Sequence, residues 1–220
     1  MKASTNIQRS VQYLNKIFKL LNEKYFDNEL EQPMITIQSS PTAYGHFTPW
    51  ESWTVNDANG TEHKTVEINL GAGTIDRPIE NVVCTLLHEM VHYYCFVKGI
   101  PETSNKGRYH NSRFKKEAEK RDLIIENGGT IGWSVTSPSE AILDFCIENS
   151  LEDIRIGRNE FTGLFVGGTT AGNGTQKPRT GKPKGSNSIK WICPCCHKII
   201  RSTREVNVVC GDCGETFIKA

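Results

Sequence analysis

The sequence contains no apolar run close to the length of about 20 residues that a membrane span needs. Its first ten residues are polar and lack the apolar h-region of a secretory signal peptide. These absences argue against a membrane protein and predict an intracellular one, either cytoplasmic or associated with the nucleoid or nucleus. At 220 residues the chain is long enough for one substantial core and a small second module.

The chain also has little net charge, only +1 at pH 7, but its charges are unevenly distributed. Residues 167–220 hold nine Lys and Arg against three Asp and Glu, a balance of +6, whereas the remainder holds 17 basic and 22 acidic residues, a balance of −5. This asymmetry predicts an acidic body with a basic appendage that could attract nucleic acid. Lysines that keep a tail soluble explain the same charge equally well.

Three of the eight cysteines are isolated within apolar helical patterns, and Cys84, Cys95 and Cys146 are predicted to be small core residues. The other five cluster near residue 200, where two C-x-x-C pairs are separated by thirteen residues. In an intracellular chain such paired spacings indicate metal binding rather than disulfides.

The paired spacings predict a zinc ribbon, in which four thiolates bind one structural Zn²⁺. The predicted ligands are Cys193, Cys196, Cys210 and Cys213. Cys195 is then spare, although it could replace Cys196, and His197 is a weaker substitute. Because a module of about thirty residues cannot build a sufficient core, the bound metal is expected to fold it.

The most informative motif is His88-Glu89-x-x-His92, inside an apolar run with helical spacing. At i and i+4 the two imidazoles lie one turn apart on one helix face, where both can bind a catalytic Zn²⁺ beside the Glu89 carboxylate. This pattern is the signature of a zinc-dependent peptidase. The alternative is a pair of half-buried histidines that are satisfied by hydrogen bonds.

A catalytic zinc site usually has three protein ligands and a water, so a third ligand is required. The downstream candidates are His110, Glu117 and Glu119. We prefer His110, because it lies at a loop-to-helix junction where the chain can fold back beside the metal helix. Zinc would polarise the scissile carbonyl and acidify water, and Glu89 would take the water proton and deliver it to the leaving amine. Candidate oxyanion donors are Tyr93, Tyr94, Tyr109 and His46.

The order of elements predicts an α+β fold with a zincin-like core of helices on a small sheet. An amphipathic helix ends near Phe26, strands follow at 34–38, 45–50 and 65–70, and the motif helix starts near Asp76 and Pro78. Further helices are predicted at about 112–121 and from Ser137, where Ser137-Pro138-Ser139-Glu140 fits a capping box.

Three regions are predicted. Residues 1–166 form the metalloprotease domain, with an extension of open role from about 128. Residues 167–188, rich in Gly, Thr, Pro, Asn and Lys, form a flexible basic linker. Residues 189–220 form the ribbon.

Several segments resemble the SprT-like metalloprotease family, which includes the Spartan proteases. They are Tyr25 to Leu30, Gly45-His46-Phe47, Ile68-Asn69-Leu70, Thr85 to Tyr93, Tyr109 to Phe114, and the C-terminal ribbon. In that family the third zinc histidine occurs in a G-H-x-x-x-F pattern, which implies that His110 is the ligand here. Tyr109 stands where Gly is common, a change that could alter the entrance to the cleft.

Basic residues accompany an aromatic side chain around the ribbon, and the predicted nucleic-acid contacts are Lys190, Trp191, Lys198, Arg201 and Arg204. Such a set can hold phosphates and stack the bases of single strands, although Trp191 and Phe217 could instead cover the ribbon core. The resemblance implies DNA binding. It predicts a zinc endopeptidase that cuts DNA-bound or DNA-crosslinked proteins. The alternatives are a general intracellular zinc peptidase with a protein-binding ribbon, and an inactive nucleic-acid-binding adaptor.

Overall fold

The computed structural model describes residues 6–40, 42–56, 59–158 and 189–219. The predicted linker, residues 167–188, lies outside these ranges. The helices are α1 (Ile7–Phe26), α2 (Ile79–Lys98), α3 (Ser112–Glu119) and α4 (Glu140–Glu148), with a short 3₁₀ helix at Gly129–Ile131. The strands are β1 (Met34–Gln38), β2 (Gly45–Asn56), β3 (Glu62–Gly71), β4 (Thr103–Ser104), β5 (Tyr109–His110), β6 (Leu123–Glu126), β7 (Val135–Pro138), β8 (Ile189–Ile192), β9 (Ile199–Ser202) and β10 (Ile218–Lys219). The α+β class is confirmed.

The main sheet has the order β1-β3-β2, with β1 parallel and β2 antiparallel to the central strand β3. Strand β3 turns alternate apolar side chains into the core, where Val66, Ile68 and Leu70 are buried. Helix α1 contacts β1 and α2, and α2 contacts β2 and β3. Both helices therefore contact the sheet as well as each other, with α1 against β1 and the metal helix against β2 and β3.

Helix α2 begins differently from the prediction. Its N-cap residue is Pro78, which supplies no side-chain hydrogen bond, and Asp76 does not cap the helix. Instead, Asp153 accepts a hydrogen bond from the backbone N–H of Ile79 at 2.9 Å. A carboxylate at this position satisfies one of the free N–H groups of the first turn and lies at the positive end of the helix dipole. The metal helix thus depends on a residue 74 positions away in the chain.

Two downstream boundaries are also corrected. Helix α3 ends at Glu119 rather than near residue 121, and the chain enters β6 at Leu123. Helix α4 starts at Glu140 with Ser139 as its N-cap, because Pro138 is the last residue of β7 and pairs with Leu123. The predicted capping box at Ser137 was therefore wrong by two residues, since hairpin pairing of β6 and β7 holds that segment extended.

Strands β2 and β3 extend beyond their predicted ends, and the added residues 51–56 and 62–64 are exposed on both faces. Such a segment has no apolar alternation for sequence reasoning to detect. The pairing of β2 with β3 shifts register between Thr48 and Trp53, which bulges the strand and leaves the intervening Trp50 62% exposed.

The ribbon forms a sheet with the order β10-β8-β9. Its small core consists of Cys193, Cys210 and Phe217, with Trp191 and Ile200 packed against them. Strand β9 contacts α4 of the larger body. In the part of the chain that the structure describes, none of the helices combines the length and hydrophobicity that a membrane crossing requires.

Candidate metal centre

The structure brings the Nε2 atoms of His88, His92 and His110 together in one cluster. His88 and His92 are separated by 3.3 Å, His88 and His110 by 3.3 Å, and His92 and His110 by 3.0 Å. A tetrahedral zinc site with Zn–N distances near 2.0–2.1 Å has an edge of about 3.3 Å between ligand nitrogens. The three imidazoles are therefore spaced as zinc ligands would be.

His88 and His92 meet because they lie one turn apart on α2, whereas His110 reaches them through a chain reversal. Strands β4 and β5 pair antiparallel, with Thr103 opposite His110, and the turn between them passes through Asn105, Lys106 and Gly107 with positive φ. Asn111 then caps α3 by accepting from the N–H of Arg113 at 2.8 Å. The expected chain reversal is thus a short hairpin, in which two strands of two residues each are joined by the loop 105–108. A capped helix follows it. Glu117, a rejected candidate ligand, instead pairs with Lys120 and Arg121.

Each histidine has an outer partner at its other ring nitrogen. Nδ1 of His88 lies 2.8 Å from the hydroxyl of Thr136, Nδ1 of His92 lies 3.2 Å from the carboxylate of Glu102, and Nδ1 of His110 lies 3.1 Å from the carbonyl oxygen of Ile131. A carbonyl or carboxylate oxygen can only accept, so Nδ1 carries the proton in the last two pairs. These contacts orient the rings and direct the Nε2 lone pairs towards a common point.

The outer partners of His88 and His110 come from the segment after residue 128, whose role was left open by the sequence. Gly132 has a φ of +69°, and a Cβ there would lie 2.2 Å from the carbonyl oxygen of His110. The N–H of Trp133 donates to this same carbonyl at 3.0 Å. Only glycine permits this close approach, so the segment is built to lie against the third histidine.

Phe114 forms the floor of the cluster. Its ring centroid lies 4.5–4.7 Å from those of all three histidines, and its side chain is fully buried. The spacing of four residues from His110 to Phe114 places the aromatic ring on the first turn of α3, directly under the site. This contact excludes water from one side of the cluster.

Burial controls the protonation of the site. Burial, together with the neighbouring imidazoles, lowers the pKa of His88 well below its ordinary value and that of His92 to about 3. Burial also lowers the pKa of His110, although the carbonyl of Ile131 opposes this change. All three rings are therefore held in the neutral form that binds metal.

Glu89 lies on α2 beside the cluster and is only 6% exposed. Burial raises the pKa of its carboxyl to about 8, while a hydrogen bond from the backbone of Phe47 acts in the opposite direction. A Cβ at Gly45 would lie 3.3 Å from Cγ of Glu89 and 2.8 Å from the carbonyl oxygen of Asn69. The start of β2 therefore needs glycine to approach the carboxylate.

The sequence profile of the SprT-like family matches residues 14–125, just over half of the chain. The chain belongs to the SprT-like family. The matched span contains the three clustered histidines and Glu89, and this is a family of metalloprotease-like domains. A search of curated proteins finds no match.

In this SprT-like domain, three of the four candidate oxyanion donors point elsewhere. Tyr93 stacks on Phe47 at 5.4 Å, and Tyr94 lies between Phe26 and the guanidinium of Arg121. His46 alternates with Gly45 and Phe47, both of which face α2, so its ring lies on the opposite face of the sheet near Asn69. Tyr109, next to His110, is the remaining candidate.

The ribbon of the SprT-like chain holds a second possible metal site. The Sγ atoms of Cys193, Cys196, Cys210 and Cys213 all lie within 4.8 Å of one another, with 3.6 Å between Cys196 and Cys210. Tetrahedral zinc with Zn–S distances near 2.3 Å has an edge of about 3.8 Å, so the four thiols fit one ion. Cys195 is exposed and lies outside the set, as does His197, and Cys196 is therefore the ligand candidate.

The five predicted nucleic-acid contacts do not form one free surface. Trp191 donates from its indole to Ser202 at 3.1 Å and packs against the ribbon core, and Lys198 pairs with Asp212. Arg201 forms ion pairs with the larger body. Lys190 is half-buried opposite Arg201 on β8, and Arg204 is exposed.

The outer partners Thr136, Glu102 and Ile131 were missed from the sequence, because no motif marks them. One signal was available for Glu102. It is the first acidic residue after the metal helix, and a zinc-bound histidine usually donates its second N–H to such a group.

Proposed function

We propose that this SprT-like chain is a zinc-dependent endopeptidase that acts on proteins bound or crosslinked to DNA. The observation that carries the peptidase activity is the convergence of three neutral, oriented Nε2 atoms beside the buried carboxylate of Glu89. Three nitrogen ligands with an open fourth position are the arrangement of a catalytic zinc site, whereas structural sites are closed by four protein ligands.

His88, His92 and His110 would hold a zinc ion, which would supply Lewis acidity towards a peptide carbonyl and towards water. The protein itself supplies the proton carrier. Because burial raises the pKa of Glu89, its ionised carboxylate is a stronger base than that of an exposed glutamate, and in this form it can accept a proton from water and deliver it to the leaving amine. The N–H of Phe47 fixes its orientation from the edge strand.

Replacing Glu89 with Gln tests this division of roles. The amide fills the same space and leaves the histidines in place, so the zinc content should be unchanged, while cleavage should fall by roughly 10²–10⁴-fold because the proton carrier is lost. Glu148→Gln, at the exposed end of α4, is the matched control and should cleave normally. Peptide cleavage by zinc-loaded Glu89→Gln at the rate of the unmodified chain would refute the mechanism.

The DNA association is supported by the charge balance of +6 over residues 167–220 and by the resemblance of the ribbon to family modules associated with DNA. Binding of the full chain to a single-stranded oligonucleotide should weaken steeply with salt, because phosphate contacts release counterions. Arg204→Gln should reduce the salt slope by about one unit if this exposed arginine contacts a phosphate. Binding that is insensitive to salt would argue against a phosphate-binding ribbon.

A second function is favoured by the ion pairs of Arg201 with the body, which suit a general zinc peptidase whose ribbon serves its own catalytic domain. Cleavage of a DNA-binding protein with and without single-stranded DNA separates the two functions. Cleavage that requires DNA supports the first, and cleavage that is independent of DNA supports the second. The inactive adaptor is disfavoured, because the three histidines and Glu89 are all present and clustered.

A further inference from the structure

A guanidinium from the ribbon lies in an acidic notch at the start of the metal helix. Arg201, on β9, places Nη1 3.0 Å from the carboxylate of Glu80 and Nη2 3.1 Å from that of Asp153. The side chain of Glu80 is fully buried and that of Arg201 is only 12% exposed. The two ion pairs join residues that are 121 and 48 positions apart in the chain.

The acidic notch, formed by Glu80 and Asp153, favours a bound cation. A carboxylate as buried as that of Glu80 is costly unless positive charge compensates it, and both the helix dipole at the first turn of α2 and the guanidinium of Arg201 supply such charge. Asp153, the second acid, also accepts from the N–H of Ile79. Arg201 thus pairs with both carboxylates at the beginning of the helix that carries His88 and His92, and its single charge compensates part of theirs.

A second contact lies beside the first. The hydroxyl of Thr203, two residues after Arg201, donates to the carboxylate of Glu140 in the first turn of α4. Strand β9 is at the edge of the ribbon sheet and lies against α4. The opposite charge balances of the two parts, −5 for the body with its extension and +6 for residues 167–220, favour the same association.

We propose that Glu80, Asp153 and Glu140 form a docking site for the chain's own zinc ribbon, and that Arg201 is its principal docking residue. The ribbon then stabilises the first turn of the metal helix in addition to any role in binding DNA. While the ribbon is docked, the guanidinium of Arg201 is engaged by carboxylates and is not available to a phosphate. This inference rests on the contacts between β9 and the body and stands whether or not the chain cleaves proteins.

Hydrogen–deuterium exchange of the full, zinc-loaded chain tests the docking. Arg201→Gln should speed exchange of the amides of residues 79–84 by roughly tenfold or more, because the first turn of α2 loses the cation that compensates Glu80. Arg204→Gln removes the same charge from an exposed position three residues away and should leave these amides unchanged. Equal exchange in both variants and the unmodified chain would overturn the proposal.

A substitution in the larger body distinguishes loss of docking from misfolding of the ribbon. Glu80→Gln removes the buried charge without touching the ribbon, and it should release β9, so that exchange of the amides of residues 199–202 rises. Thermal unfolding of the two single variants and the double variant completes a cycle. As a single substitution, Arg201→Gln should lower Tm by roughly 5 °C. When Glu80→Gln is already present, adding Arg201→Gln should lower Tm by much less. Purely additive shifts, with no change in β9, would show that Arg201 does not dock.

Discussion

Removing the carboxylate of Glu102 should weaken zinc binding at the histidine cluster without removing a ligand. Its Oε1 lies 3.2 Å from Nδ1 of His92, and the side chains are only 17% and 11% exposed. The contact fixes the ring so that Nε2 faces the other two histidines, and the negative charge makes the imidazole a better donor to the metal. Glu102→Ala removes both the hydrogen bond that orients the His92 ring and that charge.

Loss of such a partner typically reduces metal affinity by about 10–100-fold, equivalent to about 1.4–2.7 kcal/mol. We expect the lower half of this range, about 10–30-fold, because His88 and His110 keep their own partners and water can reach the space that Glu102 leaves. Glu102→Gln retains an acceptor oxygen and loses only the charge, so its effect should be smaller than that of Glu102→Ala.

The assay is the zinc content per chain after equilibration with a graded series of chelator concentrations. The unmodified chain has two candidate sites, the histidine cluster and the four cysteines, and only the first should release its ion earlier in Glu102→Ala. Glu148→Ala, which removes an exposed glutamate near the end of α4, is the control. If Glu102→Ala and the control released zinc at the same chelator concentration, the orienting role of Glu102 would be wrong.

Three further predictions concern packing and metal removal. Gly132→Ala should lower the free energy of unfolding by roughly 2 kcal/mol or more, because the added Cβ would collide with the carbonyl of His110. It should also weaken zinc binding. A denaturant unfolding curve equal to that of the unmodified chain would contradict this. Phe114→Ala should lower the free energy of unfolding by about 3–5 kcal/mol, because it opens a cavity under the three histidines. A decrease below about 1 kcal/mol in denaturant unfolding would argue against tight packing of Phe114 against the histidines. Chelation should unfold the ribbon, seen as loss of exchange protection in residues 189–219, whereas a ribbon still protected without zinc would show that its small core suffices.

The features that sequence reasoning located are those with local signals. His88, Glu89 and His92 lie within two turns of one helix, and the four ribbon cysteines have a fixed spacing, so both sets follow from positions along the chain. His110 required one further step, the expectation of a reversal, and the β4–β5 hairpin supplies that reversal. The order of α1, β1, β2, β3 and α2 was equally accessible, because each buried face has its own periodicity.

The features that escaped prediction all depend on tertiary contacts. Asp153 caps α2 from a distant loop, Thr136 supports His88 from a hairpin, and Arg201 reaches Glu80 from another module. None of these residues differs in type or setting from ordinary surface residues of a soluble protein. A hydrogen bond between residues tens of positions apart leaves no periodic trace, so a single sequence cannot reveal it.

The hairpin of β6 and β7 has a practical consequence for the preparation of the SprT-like domain as a separate fragment. The family match ends at residue 125, inside β6, yet Ile131 and Thr136 lie beyond that limit. A recombinant fragment trimmed to the matched span would keep the three clustered histidines and Glu89, but His88 and His110 would lose the groups that orient their rings. The shortest fragment that retains the site with its supporting contacts therefore extends at least through Asp153, which caps the metal helix.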